Sequence, residues 1–351
     1  MIFFSVGMPS RFTEWCDALT ARLTEFSFGT VERTALNTLE ELAVAILRSR
    51  ASHLIACSRQ PVVRLQIEIV QSKRPFLIAV GDPRGALRNL SERAGYDVAG
   101  ATRAVASSCA AIQTLTRAPS ALVVYSSDAA DSIGLATAVA DHFEVPTSSS
   151  EIATIVSELR EAGVTPDHGE DDAWWNGLGE REQAIANGAL LPFVSHLVPD
   201  ADLEPFVWEP ELFYLSEEPL AGSLIPASRP VDITGRARFL IYGPYINLPP
   251  GSWSANIILG FSAEAAGMSF MVEIFAGRQL SQTRVEPSAE QIIEANLHFV
   301  IDNSVDQPVQ IRIFTERAAF DGRLALGYVT IAPQAAIPPE ARDRLTAALR
   351  K

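Results

Sequence analysis

The stretch Phe3-Phe4-Ser5-Val6-Gly7-Met8-Pro9-Ser10-Arg11-Phe12-Thr13-Glu14-Trp15 decides how the rest of the chain is read. A short apolar run stops at Gly-Met-Pro, and a segment opening with Ser, Arg and Thr follows at once. This is the pattern of a strand passing through a tight turn into a helix N-terminus, whose free backbone N–H groups suit an anion. Gly7, Ser10, Arg11 and Thr13 are therefore the first candidate binding residues.

Working outward, short continuous apolar runs alternate with segments of helical spacing. Thr13 to Glu25 carries the stripe Trp15, Cys16, Leu19 and Leu23, and 34–50 is expected to be a second helix. Strands are expected at His53 to Cys57, Pro75 to Val80 and Ala121 to Tyr125. Helices are expected at Pro61 to Ser72, Ala101 to Leu115, Ser132 to Phe143 and Glu151 to Ala162. That alternation predicts an α/β domain with a parallel sheet covered on both faces, over about 1–162. Ligands of such sheets sit beyond the carboxyl ends of the strands. Three of those ends carry an arginine, namely Arg11, Arg59 and Arg84, in a chain of formal net charge -14. Arginines at these places are candidate anion ligands, or solvated loop residues.

The segment 163–229 reads as a linker and interdomain helical segment. It holds an acidic run, Gly169-Glu170-Asp171-Asp172, whose spacing gives no metal site, and a Trp174-Trp175 pair expected to anchor the two parts. From Arg236 the period becomes two. Trp253, Ala255, Ile257, Leu259 and Phe261 alternate with polar or smaller residues, and similar runs end at Ile274, Ile301, Ile313 and Ile331. At least six strands with Gly, Pro, Asn and Asp turns predict an antiparallel, jelly-roll-like β-sandwich over 230–333. Pro250-Gly251 is expected to form a type II turn. Tyr245 is expected in an exposed loop where its ring could stack on a sugar, Trp253 in the core, and Arg312 facing away from the core. Tyr245 and Arg312, with Arg59, are the candidate substrate-binding residues. The helical tail, 334–351, reads as holding a short amphipathic helix over 338–351.

The charge excludes a general nucleic-acid binder, whose affinity comes from neutralised phosphates. Cys16, Cys57 and Cys109 lack metal-ligand spacing and sit among apolar or small residues, as buried thiols of a reducing compartment do. The opening run has no basic flank and is broken by Gly7 and Pro9, unlike a signal peptide, and no run approaches membrane-helix length. A cytoplasmic protein with no membrane span and no metal is the expectation.

The order of segments across roughly the first 160 residues resembles a compact P-loop sulfotransferase domain. Val6-Gly7-Met8-Pro9 resembles the family's Val-Gly-x-Pro-Arg-Ser-Gly-Thr-Thr loop. Phe76 to Leu87 resembles its strand ending in Arg-Asp-Pro-Arg-Asp-x-Leu. Leu122 to Asp128 resembles the strand ending in Tyr-Glu-Asp-Leu, and the helix closing His142-Phe143-Glu144-Val145-Pro146 resembles the one closing in Phe-Leu-Gly-x-Pro. The resemblance implies a site for the donor PAPS (3′-phosphoadenosine 5′-phosphosulfate) or its product PAP, held by Gly7, Ser10, Arg11, Thr13 and Arg84. The departures fall on that site. Phe12 stands where the loop has glycine, Glu14 where it has a hydroxyl, Gly81 where it has an arginine, and Asn89 near the place of the family's serine. His53 begins its strand and is badly placed as a base, so no catalytic residue is assigned. Tyr242-Gly243-Pro244-Tyr245-Ile246-Asn247-Leu248-Pro249-Pro250-Gly251-Ser252-Trp253 is similar to a β-sandwich module of bacterial surface-polysaccharide proteins, itself similar to carbohydrate-binding sandwiches. Three readings follow. The first is a degenerate, non-catalytic sulfotransferase-like domain with a glycan-binding sandwich, without cofactor. The second is an active transferase moving a sulfuryl group from PAPS to a glycan hydroxyl. The third is a structural protein whose sandwich forms a homo-oligomer.

Overall fold

A computed structural model describes residues 1–166, 171–197, 204–216, 224–302 and 307–334. The opening stretch forms strand β1 (Ile2–Gly7), a tight turn and helix α1 (Arg11–Phe28). The elements β2 (Val31–Ala35), α2 (Leu39–Arg48), β3 (His53–Ser58), α3 (Val63–Gln71) and β4 (Phe76–Val80) follow. Helices α4 (Pro83–Ala94) and α5 (Val98–Leu115), strand β5 (Ala121–Tyr125) and helices α6 (Ser132–His142) and α7 (Ser149–Glu161) complete the α/β part. The five strands pair in parallel in the order β2-β3-β1-β4-β5. Both faces are covered, because β1, β3 and β4 bury nearly every side chain in two separate apolar clusters, one on each face.

One local expectation is corrected here. Helix 34–50 is shorter than its apolar pattern implies. Val31–Ala35 forms the edge strand β2, and the Thr38 capping box with Glu41 starts α2 only afterwards. Within the stretch read as linker, Trp174 and Trp175 lie on a helix of their own, α8 (Asp171–Gly177).

Helix α9 (Glu180–Leu197) joins the two parts of the molecule. A Cβ at Gly188 would fall 2.4 Å from the Val207 carbonyl oxygen, so glycine lets α9 lie directly on the first sandwich strand. Ala186, Ala189, Leu190 and Phe193 extend one apolar core from the parallel sheet into the sandwich. A continuous apolar boundary of this kind holds two parts as one packing unit.

The sandwich strands are β6 (Phe206–Trp208), β7 (Tyr214–Leu215), β8 (Ile225–Pro226), β9 (Val231–Asp232), β10 (Phe239–Ile246), β11 (Gly251–Phe261), β12 (Phe270–Phe275), β13 (Gln279–Val285), β14 (Gln291–Ile301), β15 (Val309–Thr315) and β16 (Arg323–Pro333). One sheet has the order β13-β12-β15-β10-β7-β8. The other has the order β14-β11-β16-β6, with β9 also on β16. All of their pairings are antiparallel. The expected alternation holds in β11, where Trp253, Ala255, Ile257, Leu259 and Phe261 are all buried. The expected type II turn is absent. Gly251 has no positive φ and begins β11, so Pro250-Gly251 is a strand entry. Among the described residues, no helix is long and apolar enough to cross a membrane. The tail helix expected at 338–351 falls outside the described residues, as does most of the acidic run 169–172.

Candidate functional site

The switch point of the parallel sheet lies between the paired strands β1 and β4, since the chain lays β2 and β3 on one side of β1 before β4 and β5 extend the other side, and the β1–α1 turn stands at its carboxyl end. Ser10 is the N-cap of α1, and its Oγ accepts the Thr13 N–H at 3.2 Å. The Ser10 and Thr13 hydroxyls also bond each other at 3.1 Å, and they are 1% and 0% exposed. Ser10 N–H closes the turn on the Met8 carbonyl at 2.7 Å. A Cβ at Gly7 would stand 2.4 Å from Thr13 Cγ2 and 2.8 Å from the Ala79 carbonyl oxygen. One at Gly81 would stand 2.6 Å from Ser10 Oγ. These two glycines therefore make room for the protein's own hydroxyls. Phe12 is fully buried on the far side of the turn and stacks against Trp15.

The charged residues around the turn are engaged elsewhere or turned outward. Arg11 is exposed and, among the described residues, has no ion-pair partner. Glu14 sits in the first turn of α1, where a carboxylate is favoured, and Arg93 Nη1 reaches both its oxygens at 2.9 and 2.7 Å. Arg59 leaves the end of β3 and donates to Asp17, which is buried and also accepts from Ser5 Oγ at 2.5 Å. Burial works against the Arg59 charge, and the Asp17 carboxylate beside it more than offsets this, raising the guanidinium pKa. Asn89 Nδ2 holds the turn from above by donating to the Pro9 carbonyl at 2.9 Å.

Beside the turn, beyond the ends of β4 and β5, opens a crevice of about 420 Å3. Met8, Leu87, Trp175, Leu190 and Leu191 make its walls apolar. Arg84 lies at its rim, its guanidinium 4.9 Å from the Trp175 ring centre and 3.8 Å from the Asp172 carboxylate. Asp82 caps α4 by accepting the Arg84 N–H at 2.9 Å. The Asp172 carboxylate thus lies beside the cation that an anion would need, and the Asp82 carboxylate caps the helix from which it extends.

His53 opens β3 at the end away from the turn and pairs its Nδ1 with Ser52 Oγ at 2.8 Å. Burial lowers its pKa, with the chain's terminal ammonium adding to the effect. The three cysteines are buried and free. Burial raises each thiol pKa, that of Cys109 to about 12, so all three are inert at neutral pH.

On the sandwich, Tyr245 and Arg312 come together on the outer face of the sheet containing β10 and β15. Tyr245 lies inside β10 and is half-buried, rather than in an exposed loop. It has φ 65, a conformation rare for a bulky residue. It also falls at a register shift between β10 and β15, so it is the extra residue of a bulge. Its ring packs with Tyr214 and Tyr242 at centroid distances of 6.5 and 6.2 Å. Burial raises the Tyr245 phenol pKa, helped by Tyr242 and opposed by Arg312, which keeps the hydroxyl a donor. Arg312 lies 3.4 Å over the Phe275 ring, donates to Gln310 Oε1 at 3.0 and 3.1 Å, and approaches Glu273 at 3.6 Å. Sequence reasoning missed Tyr214, whose strand is two residues long, and the pairing Tyr242↔Tyr214 that brings it in.

The residues named from sequence thus form no single site. Gly7, Ser10 and Thr13 close the turn together, Arg11, Arg59 and Arg84 point to separate surroundings, and Tyr245 and Arg312 share a face of the sandwich. Among the described residues, no cluster of His, Cys, Asp and Glu could hold a metal ion.

No protein-family model matches the chain, and no curated protein matches it. Among solved structures, it is similar to a xylan-binding module, CBM15, at 16% identity and TM-score 0.28, over 38% of this chain and 100% of that one. It is also similar to mouse sulfotransferase SULT7A1 complexed with PAP, at 13% identity and TM-score 0.38, over 57% of this chain and 85% of that one. A retinol dehydratase in complex with androsterone and inactive cofactor PAP gives 10% identity and TM-score 0.36, over 58% and 82% of the two chains. The sulfotransferase likeness falls on the N-terminal part and the likeness to carbohydrate-binding modules on the C-terminal part. Both concern fold alone.

Proposed function

We propose that the α/β part is a sulfotransferase-like scaffold that performs no sulfuryl transfer, and that the sandwich gives the protein a glycan-binding role. The observation that carries the first half is the closed turn. Ser10 and Thr13, the hydroxyls an anion would need, bond each other in a dry pocket, and the nearby arginines answer Glu14 and Asp17 instead. An anion entering would have to break these bonds and approach Glu14, an unfavourable exchange in a partly desolvated place. The glycan half rests on the aromatic and amide-bearing surface around Tyr245, since rings and amides suit the apolar faces and hydroxyls of sugars. Together with the resemblance of Tyr242 to Trp253 to modules of surface-polysaccharide proteins, this favours a part in the synthesis or modification of a cell-surface glycan.

The test is turnover. Incubated with PAPS and a panel of polysaccharides, the protein should release no PAP above the uncatalysed rate. Saturable PAP release that depends on the polysaccharide would establish the transferase reading in its place.

A further inference from the structure

A second cavity, larger than the crevice at the sheet edge, lies between the α/β part and the sandwich. It has a volume of about 550 Å3, the size of a small-molecule or short-oligomer site. Its floor is small: Ala110 and Ala111 lie one helical turn after Ser107 on α5, and a larger residue at the alanines would fill the space. Its apolar walls are Ile67 and Val70 of α3 on one side and Leu248 and Pro250 of the sandwich on the other. Ile67 and Val70 are large apolar side chains left exposed, 44% and 37% accessible.

The polar lining is almost uncharged. Among the described residues it includes Gln60, Gln66, Gln71, Asn247 and Gln307 but no lysine, arginine or histidine. Its one carboxylate, Asp302, is paired with Arg278 at 2.9 Å. Tyr245 and Asn247 are half-buried, and among the described residues their side chains have no hydrogen-bond partner. Tyr245, the bulged residue of β10 with its left-handed backbone, lines this cavity.

We infer that this cavity is the binding site of a neutral oligosaccharide, clasped between the two parts of the molecule. The inference rests on the glycan-binding reading above and adds the ligand class and the place. Amides bond neighbouring hydroxyls in pairs, and the alanine and isoleucine surfaces take the C–H faces of the rings. The absence of cations from the described lining gives an acidic glycan nothing to pair with. A free fatty acid lacks its counter-charge for the same reason, and an apolar peptide would leave Tyr245 and Asn247 without polar partners, whereas Gln60 and Gln66 already donate to the Ala104 and Pro61 carbonyls at 2.7 Å each.

The experiment is calorimetric titration of the full chain with neutral xylo-, cello- and manno-oligosaccharides and, in parallel, with acidic oligogalacturonates. At least one neutral series should bind. Asn247→Ala and Gln307→Ala should each weaken it about tenfold, one hydrogen bond's worth in a desolvated site. Ala111→Leu should abolish it by filling the floor, whereas Gln282→Ala, on the remote edge strand β13, should leave it unchanged. Hydrogen exchange should show ligand protection on both α3 and 245–250. If Ala111→Leu fails to fold, the two polar variants decide the matter. Neutral binding that ignores the cavity variants would overturn this inference and leave the glycan-binding reading standing. Binding of the acidic series alone would overturn the neutral class only. No binding by either series would overturn the glycan-binding reading itself, and this inference with it.

Discussion

The β1–α1 turn and the cavity between the two parts are both places where a fold of this kind could hold a ligand, and they are built in opposite ways. At the turn every hydroxyl finds a partner within a few residues, and Ser10 and Thr13 are dry. In the cavity, residues from distant parts of the chain come together, and among the described residues the side chains of Tyr245 and Asn247 have no hydrogen-bond partner there. On the function proposed above, the ligand goes not to the helix N-terminus most easily noticed in the sequence but to a cavity assembled from distant segments. Polar groups that satisfy each other stabilise a fold, and those left open are available to a ligand.

Mutations should therefore divide cleanly, with those at the turn costing stability and those in the cavity costing affinity. The largest effect is expected at Phe12. Its ring is fully buried where the resemblance would place glycine, so Phe12→Ala should cost about 4 kcal/mol in denaturant unfolding. It should still confer no PAP binding. Next is Arg59→Ala, which strands the buried Asp17 carboxylate and should cost about 3 kcal/mol. A variant that unfolds like the wild type would mean that Arg59 is free for a ligand after all. Ser10→Ala removes the cap of α1 and should cost about 1 kcal/mol. At the other end of the scale, Asn247→Ala should shift stability by no more than about 0.5 kcal/mol while weakening the oligosaccharide. A large loss of stability there would erase the contrast.

Much of the fold was legible because it rests on local periodicity. The buried alternation of β11 and the apolar runs of β3, β4 and β5 announce their own sheets. Strand β2 was not legible, since Val31-Glu32-Arg33-Thr34-Ala35 is an edge strand with hardly a buried side chain, and the helical stripe that follows masks it. Helix α8 hides among Asp, Glu and Gly, residues that favour turns. Tyr245 was legible as important but not as a bulge, because its conformation is imposed by pairing with β15, which lies more than sixty residues on.

Of the candidate site, the departures at Phe12 and Glu14 were visible, but their consequence was not. Only the packing shows Glu14 answered by Arg93 and Thr13 lodged over Gly7. Nothing in the sequence brings Gln66 and Ala111 to Asn247 and Gln307. That cavity exists because α9 seats the sandwich against α5, a contact between elements far apart in the chain.

The central claim, that the turn keeps the fold of an anion site without its capacity, is most directly tested by titrating the full chain with PAP and following thermal unfolding. A ligand present at one hundred times its dissociation constant stabilises the native state by about 2.7 kcal/mol, a readily measured rise in melting temperature. The closed turn predicts no rise up to millimolar PAP. A saturable rise that is lost in Arg11→Ala would show the turn opening to take the nucleotide, and would contradict the account.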